Sequence, residues 1–372
     1  MEDLANMRAD SIAAKYLDFK PSAEFTPDSL ILQRIKYEID ICQSEHSKCP
    51  VRTNATLPSR VIKVGVEGET PKLHLCQNQN GAYVALSYCW GGKQSVTTTK
   101  ESLKSRINGI PLNSLPKTIQ EAIRLTRLLG YEYLWVDALC IIQDNQDDKS
   151  IEINAMGSIY KNATLTIAAA NSDGVNKGFL REPSQPLNCK IPFLLPDGRK
   201  DNIYLRRDSP SEISNPLGSR GWTFQEDLLS SRLVSFGHHG LNWRCQSLNK
   251  ELFTGTVYGD TESHSGKYRT SSIIIDNQTT NATRDVLTKE WQKIIEGYSG
   301  RVVTYQADRL PALAGVAGEF QAFLGIGDTY LAGFWESMLL SHIGWYSEIC
   351  RSGNRNLHAG ISRSQPGLGC LK

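Results

Sequence analysis

The sequence of 372 residues lacks any apolar run as long as a membrane-spanning helix, which needs about 20 residues. Its first residues also lack the basic stretch and apolar run of a secretory signal peptide. Neither sign of charge dominates, because 41 basic and 39 acidic residues leave a formal net charge of +2. We therefore expect a soluble, cytoplasmic protein with no membrane span and no nucleic-acid partner.

The common nucleotide and hydrolase motifs are absent as well. The chain has no Gly-x-Gly-x-x-Gly, no P-loop, no His-Glu-x-x-His and no Gly-x-Ser-x-Gly. This argues against standard dehydrogenases, kinases, zincin proteases and serine hydrolases. Nine cysteines, an odd number spread from Cys42 to Cys370, do not suit a compact disulfide scaffold. Free thiols in a reducing compartment are the better interpretation.

One early segment brings metal-ligand residue types together, as Cys42-x₃-His46-x₂-Cys49. Either Cys76 or His74 can supply the fourth ligand that a structural zinc site needs, although the spacing differs from a standard pair of knuckles. The alternative is a helix end that packs its cysteines. From the sequence we assign no metal ligand.

The middle of the chain alternates strand-like and helix-like patterns. The patterns predict a strand over 83–88, a helix over 114–130, a strand over 133–142, a helix after the acidic loop 144–148, and a strand over 164–170. This order is typical of a parallel sheet with crossover helices, whose ligands bind at the carboxyl ends of the strands. The expected fold class is therefore α/β with a flavodoxin-like core, elaborated by extra strands and C-terminal helices.

The flanking regions are less regular. We predict a helix over 28–48, strands over 59–66 and 72–76, a loop over 260–285, and helices over 291–298 and 310–323. The resulting organisation is an N-terminal lead over 1–58, a main domain over 59–250, a helical extension over 251–350 and a disordered tail over 351–372.

Three acidic residues are candidates for chemistry in the expected crevice. Glu152 flanks an apolar helix stripe that begins at Ile151, so it is either a desolvated acid or base, or a side chain that reaches solvent or a basic partner. Asp137 ends a strand, as a site residue or as the cap of the next turn. Glu226 is either a third acid or, the interpretation we favour, a first-turn helix residue.

Other side chains near the same strand ends keep two interpretations. Cys89 and Cys140 have no histidine in the three-strand region to activate them, so inert buried thiols are preferred to nucleophiles. Arg220 can bind a phosphate through its fork or form an ordinary salt bridge. Trp90 and Trp222 offer aromatic surface to a planar ligand or simply fill the core.

Three blocks of sequence resemble the signature blocks of the fungal heterokaryon incompatibility (HET) domain: residues 83–91 (YVALSYCWG), 133–143 (YLWVDALCIIQ) and 220–226 (RGWTFQE). Between them, residues 152–160 resemble the family helix that carries an acidic residue and Met-x-x-Ile-Tyr. The resemblance implies a trigger of fungal programmed cell death after nonself recognition. Its expected partners are further copies of the chain or other death-signalling proteins.

The HET domain also resembles the TIR fold, and many TIR domains hydrolyse NAD⁺ with a helix glutamate. By that resemblance Glu152 is the candidate catalytic carboxylate, with Asp137 beside it, NAD⁺ is the substrate and no cofactor is required. The residues implied to line the NAD⁺ pocket are Ser87, Tyr88, Trp90, Gly91, Arg220, Trp222 and Glu226. Two alternatives stay open: a non-enzymatic signalling module, and a HET-like protein repurposed in a small-molecule pathway.

Overall fold

The computed structural model describes residues 5–8, 21–22, 29–50, 54–180, 188–194, 196–206, 215–237, 240–252, 284–324, 327–342, 345–347 and 361–363. The strands are β1 (Ala5–Arg8), β2 (Pro21–Ser22), β3 (Ala55–Thr56), β4 (Arg60–Lys63), β5 (Lys72–Leu75), β6 (Asn80–Gly81), β7 (Tyr83–Ser87), β8 (Tyr133–Trp135), β9 (Leu165–Ala168), β10 (Asn188–Leu194), β11 (Lys200–Arg206), β12 (Arg232–Phe236), β13 (Leu241–Cys245), β14 (Asn249–Glu251), β15 (Tyr330–Leu331), β16 (Phe334–Trp335), β17 (Trp345–Ser347) and β18 (Ile361–Arg363). The helices are α1 (Ser29–Glu45), α2 (Leu103–Asn108), α3 (Lys117–Leu129), α4 (Asp137–Cys140), α5 (Gln146–Asn162), α6 (Trp222–Leu229), α7 (Arg284–Ser299), α8 (Pro311–Leu324) and α9 (Leu339–His342).

The main sheet has eight strands in the order β14-β13-β12-β9-β7-β8-β4-β5. Strands β8, β7, β9 and β12 run parallel, whereas both ends of the sheet are antiparallel. Helix α3 connects β7 to β8, and α5 connects β8 to β9. The predicted α/β core of parallel strands and crossover helices is therefore confirmed, within a sheet of mixed orientation. Every residue of β7 and β9 is buried, as expected of strands covered on both faces.

The predicted strand over 133–142 is wrong beyond Trp135. The chain turns instead into the short helix α4, which begins at Asp137. The Asp137 carboxylate accepts a hydrogen bond from the backbone N–H of Ala138 at 2.6 Å. A local side-chain bond of this kind favours a turn over continued strand pairing.

The helix predicted to open at residue 114 begins later, at Lys117. Ser114 belongs to a separate single turn, and its hydroxyl donates to the Pro111 carbonyl at 2.6 Å, so it does not cap α3. Gly130 ends the helix as predicted, with φ of 86°, a left-handed conformation that glycine adopts readily.

The face of α5 that is buried differs from the face that the sequence predicted to be buried. Its buried face carries Glu152, Met156 and Ile159, whereas Ile151 is 65% exposed. The prediction that Ile151 starts the buried stripe is therefore wrong. The consequence is that Glu152 points into the protein rather than along the edge of the helix.

The C-terminal helices α7 and α8 build a second apolar core against α6. Trp291, Phe320 and Trp335 are fully buried there, and Phe224 joins them from α6. The helices predicted over 291–298 and 310–323 are thus confirmed. The helix predicted over 28–48 and the strands predicted over 59–66 and 72–76 are also present, as α1, β4 and β5. In the tail predicted to be disordered, residues 361–363 form β18, which pairs with β17.

Helices α5 and α8 approach each other at two glycines. A Cβ added to Gly157 would lie 2.9 Å from the Cα of Gly315. At this point the backbone of α5, which connects two strands of the main sheet, is therefore in direct contact with the backbone of the C-terminal helix α8.

Among the described helices, none combines the length and the apolar character needed to cross a membrane. The predictions made for residues 1–4, 9–20, 23–28, 51–53, 253–283, 348–360 and 364–372 lie outside the described residues.

Candidate functional site

The carboxyl ends of β7 and β8 meet, and a cluster of polar side chains lies there. The Trp90 Nε1–H donates to Oδ2 of Asp137 at 2.8 Å, which joins the turn after β7 to the start of α4. We call this cluster the crevice centre; its members are Ser87, Tyr88, Trp90, Asp137, Tyr160, Arg220 and Glu226.

Glu226 is the most deeply buried acid of the crevice centre, with 7% of its surface exposed. Burial raises the pKa of its carboxyl to about 7, and the nearby charge of Asp137 adds to the rise. The neighbouring hydroxyls of Ser87 and Tyr160 and the charge of Arg220 act in the opposite direction. At neutral pH the carboxyl is therefore poised between its two protonation states, as an acid–base catalyst requires. Sequence had favoured a purely structural Glu226.

The contacts of Asp137 agree with both interpretations that the sequence left open. It lies at the end of β8 beside the crevice, and it also bonds the Ala138 backbone N–H. Burial raises the pKa of its carboxyl, while the hydrogen bonds from Trp90 and that N–H and the charge of Arg220 oppose the rise. The proximity of Asp137 helps to raise the pKa of the Tyr88 hydroxyl well above its usual value, after burial as the main cause.

Arg220 provides the positive charge of the crevice centre. Its charge lowers the pKa values of both Asp137 and Glu226. Its position is fixed by a backbone bridge to Val302, and the next residue, Gly221, donates its N–H to the Val302 carbonyl at 2.8 Å. The arginine is therefore held by the C-terminal part of the chain and faces the two acids.

Two residues assigned to the pocket have contacts elsewhere. Gly91 has φ of 71°, and a Cβ at this position would lie 2.6 Å from the Cα of Gly174. The absence of a side chain therefore lets the two backbone segments approach each other closely. The Trp222 Nε1–H donates to Oδ2 of Asp308 at 3.2 Å. These contacts link the crevice to neighbouring loops, and neither residue has a described contact with Asp137.

Glu152 occupies a second carboxylate site. It is 2% exposed, and Arg60 Nη2 lies 3.3 Å from its Oε1 and 2.7 Å from Oδ2 of Asp148. Burial raises the pKa of the Glu152 carboxyl, Ser59 and Arg60 lower it, and Asp148 raises it. A cavity of about 220 Å³ lies alongside, bounded by residues that include Glu152 and Tyr83. No described contact joins Glu152 to Asp137 or Glu226.

The cysteines near the crevice match the inert interpretation. Cys89 and Cys140 are buried, and burial raises the pKa of both thiols. A raised pKa keeps a thiol protonated, so it is a poor nucleophile.

Sequence reasoning missed Tyr160 and Arg60. Tyr160 was visible within the Met-x-x-Ile-Tyr segment, two helical turns after Glu152, which is the spacing of one helix face. Arg60 gave no signal, because it lies 92 positions before its partner Glu152.

Neither of the two residues suggested as a fourth ligand, Cys76 and His74, belongs to the cluster that Cys42, His46 and Cys49 form. His74 pairs instead with Gln79, with 2.8 Å between Nε2 and Oε1. The fourth ligand-type group is Cys245, which lies 199 positions after His46 and was invisible to local spacing. This geometry reopens the assignment of no metal ligand.

Fold and site together define a mixed α/β domain with a buried acid centre at its parallel strand ends. Residues 83–226 match the family model described as heterokaryon incompatibility protein (HET). This segment starts with β7, ends at Glu226 and contains every member of the crevice centre. The HET resemblance of the three blocks is thus supported.

One curated relative is the heterokaryon incompatibility protein 6, OR allele, of Neurospora crassa. It is 35% identical over an alignment of 92 residues that covers 22% of this chain and 13% of that protein. The chain therefore matches only a small part of that relative. No solved structure matches, so the TIR and flavodoxin-like parts of the expectation gain no support from known folds.

Proposed function

We propose that this protein acts in fungal nonself recognition, as a cytoplasmic HET-domain protein that triggers programmed cell death. One observation carries the proposal: the three blocks of the HET match converge on a single buried acid centre. Block one supplies Ser87, Tyr88 and Trp90, block two supplies Asp137, and block three supplies Arg220 and Glu226. The name of the Neurospora crassa relative is consistent with this role.

The reaction we propose is hydrolysis of NAD⁺. The bond between the nicotinamide nitrogen and C1′ of the ribose breaks, and its electron pair leaves with nicotinamide. The oxygen of water adds to C1′, and the proton of that water passes to a carboxylate. A glutamate with a pKa near 7 suits that proton transfer, which favours Glu226. The resemblance to TIR domains instead favours Glu152, which would stabilise the positive charge that develops on the ribose.

The alternative is a non-enzymatic signalling module, and the ion pairs of Glu152 favour it. Arg60 forms ion pairs with both Glu152 and Asp148, an arrangement that also serves the fold alone. In this alternative the buried acids hold an interaction surface in shape, and assembly with further copies or other signalling proteins carries the signal.

The test combines two measurements on the full chain. Purified protein, free and with enforced oligomerisation, is incubated with NAD⁺ and nicotinamide is quantified. The same chain is expressed from an inducible promoter in a fungal host and viability is counted. The variants are Glu226→Gln and Glu152→Gln, and Asp227→Asn is the matched control, since its partner is Arg244 outside the crevice centre.

We expect nicotinamide release and cell death from the wild type and from Asp227→Asn. We expect a loss of at least about a hundredfold in release from the variant whose carboxylate is catalytic, with its melting temperature kept. Cell death without nicotinamide release would contradict the proposed NAD⁺ hydrolysis and support the signalling alternative. Full viability on expression, with no release, would overturn the proposed function altogether.

A further inference from the structure

Three cysteines and one histidine meet at the far edge of the main sheet, outside the crevice centre. Cys42 lies in the last turns of α1, His46 and Cys49 follow the end of that helix, and Cys245 is the last residue of β13. One ligand-type atom from each residue lies within 4.8 Å of all the others. The three cysteines are buried and none is in a disulfide.

The distances in this cluster agree with a tetrahedron around zinc. Cys245 Sγ lies 3.4 Å from Nδ1 of His46, and Cys49 Sγ lies 3.8 Å from the same nitrogen. Zinc bonds of about 2.3 Å to sulfur and about 2.0 Å to nitrogen set a sulfur–nitrogen edge of about 3.5 Å. One ion at the middle of the four atoms would therefore reach all of them with little rearrangement.

A buried arginine places a positive charge beside the cluster. Arg232 is fully buried, and its Nε donates to Cys42 Sγ at 3.1 Å. Its other described acceptors are the backbone carbonyls of Pro50 and Thr164, and no carboxylate pairs with it among the described residues. A buried guanidinium requires a counter-charge. Three thiolates and one divalent ion leave one net negative charge, which this arginine balances.

The surroundings of the sulfurs also fit a metal site. The Ser247 hydroxyl lies 3.5 Å from Cys49 Sγ, at the turn that follows Cys245. Polar groups around metal-bound sulfur orient the ligands and stabilise the thiolates. Thiolate and imidazole together select zinc over hard cations such as Mg²⁺ and Ca²⁺.

We propose that Cys42, His46, Cys49 and Cys245 bind one Zn²⁺ ion in a closed structural site that fastens α1 to β13. Four protein ligands leave no open position for a substrate, so the ion acts on folding and not on catalysis. The ion would join residues on either side of the segment that forms the crevice centre.

The test uses the full chain purified under reducing conditions from medium that contains zinc. We expect about one zinc ion per chain by elemental analysis, and a lower melting temperature after treatment with a strong chelator. Replacement by Co²⁺ should give the visible d–d bands of tetrahedral cobalt, with thiolate-to-cobalt charge transfer in the near ultraviolet.

The variant Cys245→Ser should lose at least about tenfold in zinc affinity, because it removes a ligand. Cys245→His keeps four ligands and should restore the metal with a shifted cobalt spectrum, which separates ligand loss from misfolding. The matched control is Cys76→Ser, another buried thiol, which should leave the zinc content unchanged. Metal-free wild-type protein that gives no cobalt spectrum, or a disulfide among the three cysteines, would overturn the proposal.

Discussion

Among single residues, Glu226 links the crevice centre most directly to the pH of the solution. Its pKa is raised from 4.5 to about 7, chiefly because burial disfavours the charged form. The groups that act on it are Asp137, Tyr160, Ser87 and Arg220. A raised carboxyl pKa means that the folded state binds the proton more tightly than the unfolded state.

Stability should therefore fall as pH rises from about 4.5 to about 7, because the unfolded state loses the Glu226 proton first. The tighter binding of the Glu226 proton by the folded state contributes roughly 3 kcal/mol to the free energy of unfolding below this pH window. Above the window this contribution is lost. The side chain at this position cannot ionise in Glu226→Gln. The stability of this variant relative to the wild type should therefore increase by about that much when the pH is raised from 5 to 8. Urea unfolding at the two pH values measures the difference.

The control for Glu226→Gln is Glu67→Gln, whose side chain is 81% exposed, since it reports the loss of one surface charge alone. An equal stability gap between wild type and Glu226→Gln at both pH values would contradict the prediction. It would mean that the crevice stays open enough to hydrate the carboxylate.

Among the elements, the contact of α5 with α8 depends on glycine. A Cβ on Gly157 would lie 2.9 Å from the Cα of Gly315 and 3.2 Å from a Leu229 methyl group. Gly157→Ala should therefore lower the free energy of unfolding by about 1–3 kcal/mol through overpacking, despite the better helix propensity of alanine. Chemical denaturation of the variant measures this loss.

The matched control for Gly157→Ala is Gly318→Ala on α8, where an added Cβ meets nothing within 4 Å. This substitution should raise stability by up to about 1 kcal/mol, since helix propensity acts alone. If both variants gained stability, the backbone contact between α5 and α8 would not be as close as described.

At the scale of the whole molecule, α6 belongs to two cores at once. Phe224 and Leu228 pack with Trp291 and Phe320 of the C-terminal helices, whereas Trp222 also contacts the core of the main sheet. The matched family segment ends at Glu226, in the middle of α6. The helical extension is thus required to cover part of the segment that the match defines.

A chain ending at residue 252 should consequently expose the apolar face of α6. We expect it to bind the dye ANS and to lose the cooperative thermal transition of the full chain, because about 25 cal/mol is forfeited for each Å² of apolar surface that stays in water. Dye fluorescence and calorimetry measure the two effects. A cooperative transition at the temperature of the full chain would contradict the expectation and make residues 59–250 a self-sufficient domain.

The parts of the fold that sequence could predict are those with a local signal. Strands β7 and β9 are short apolar runs because both faces are buried, and Gly130 ends α3 because it alone adopts a left-handed φ easily. The end of the strand next to Asp137 also had a local signal, whereas α4 was missed because a side-chain hydrogen bond favours it.

The candidate sites depend more on pairs that are distant in sequence. Arg60 neutralises Glu152 and Cys245 joins His46, and local spacing contains no information on either pair. The inward rotation of α5 was also missed, since it is set by packing against α6 and α8 rather than by the apolar pattern around Ile151.

The position of Cys245 has a consequence for the order of synthesis. Helix α1 leaves the ribosome early, yet its partners Arg232 and Cys245 are made about 200 residues later, which corresponds to roughly 10–40 s of translation. During that interval strand β13, which α1 contacts in the finished protein, has not yet been made. The side of α1 that contacts β13 therefore stays uncovered until the crevice segment has been made.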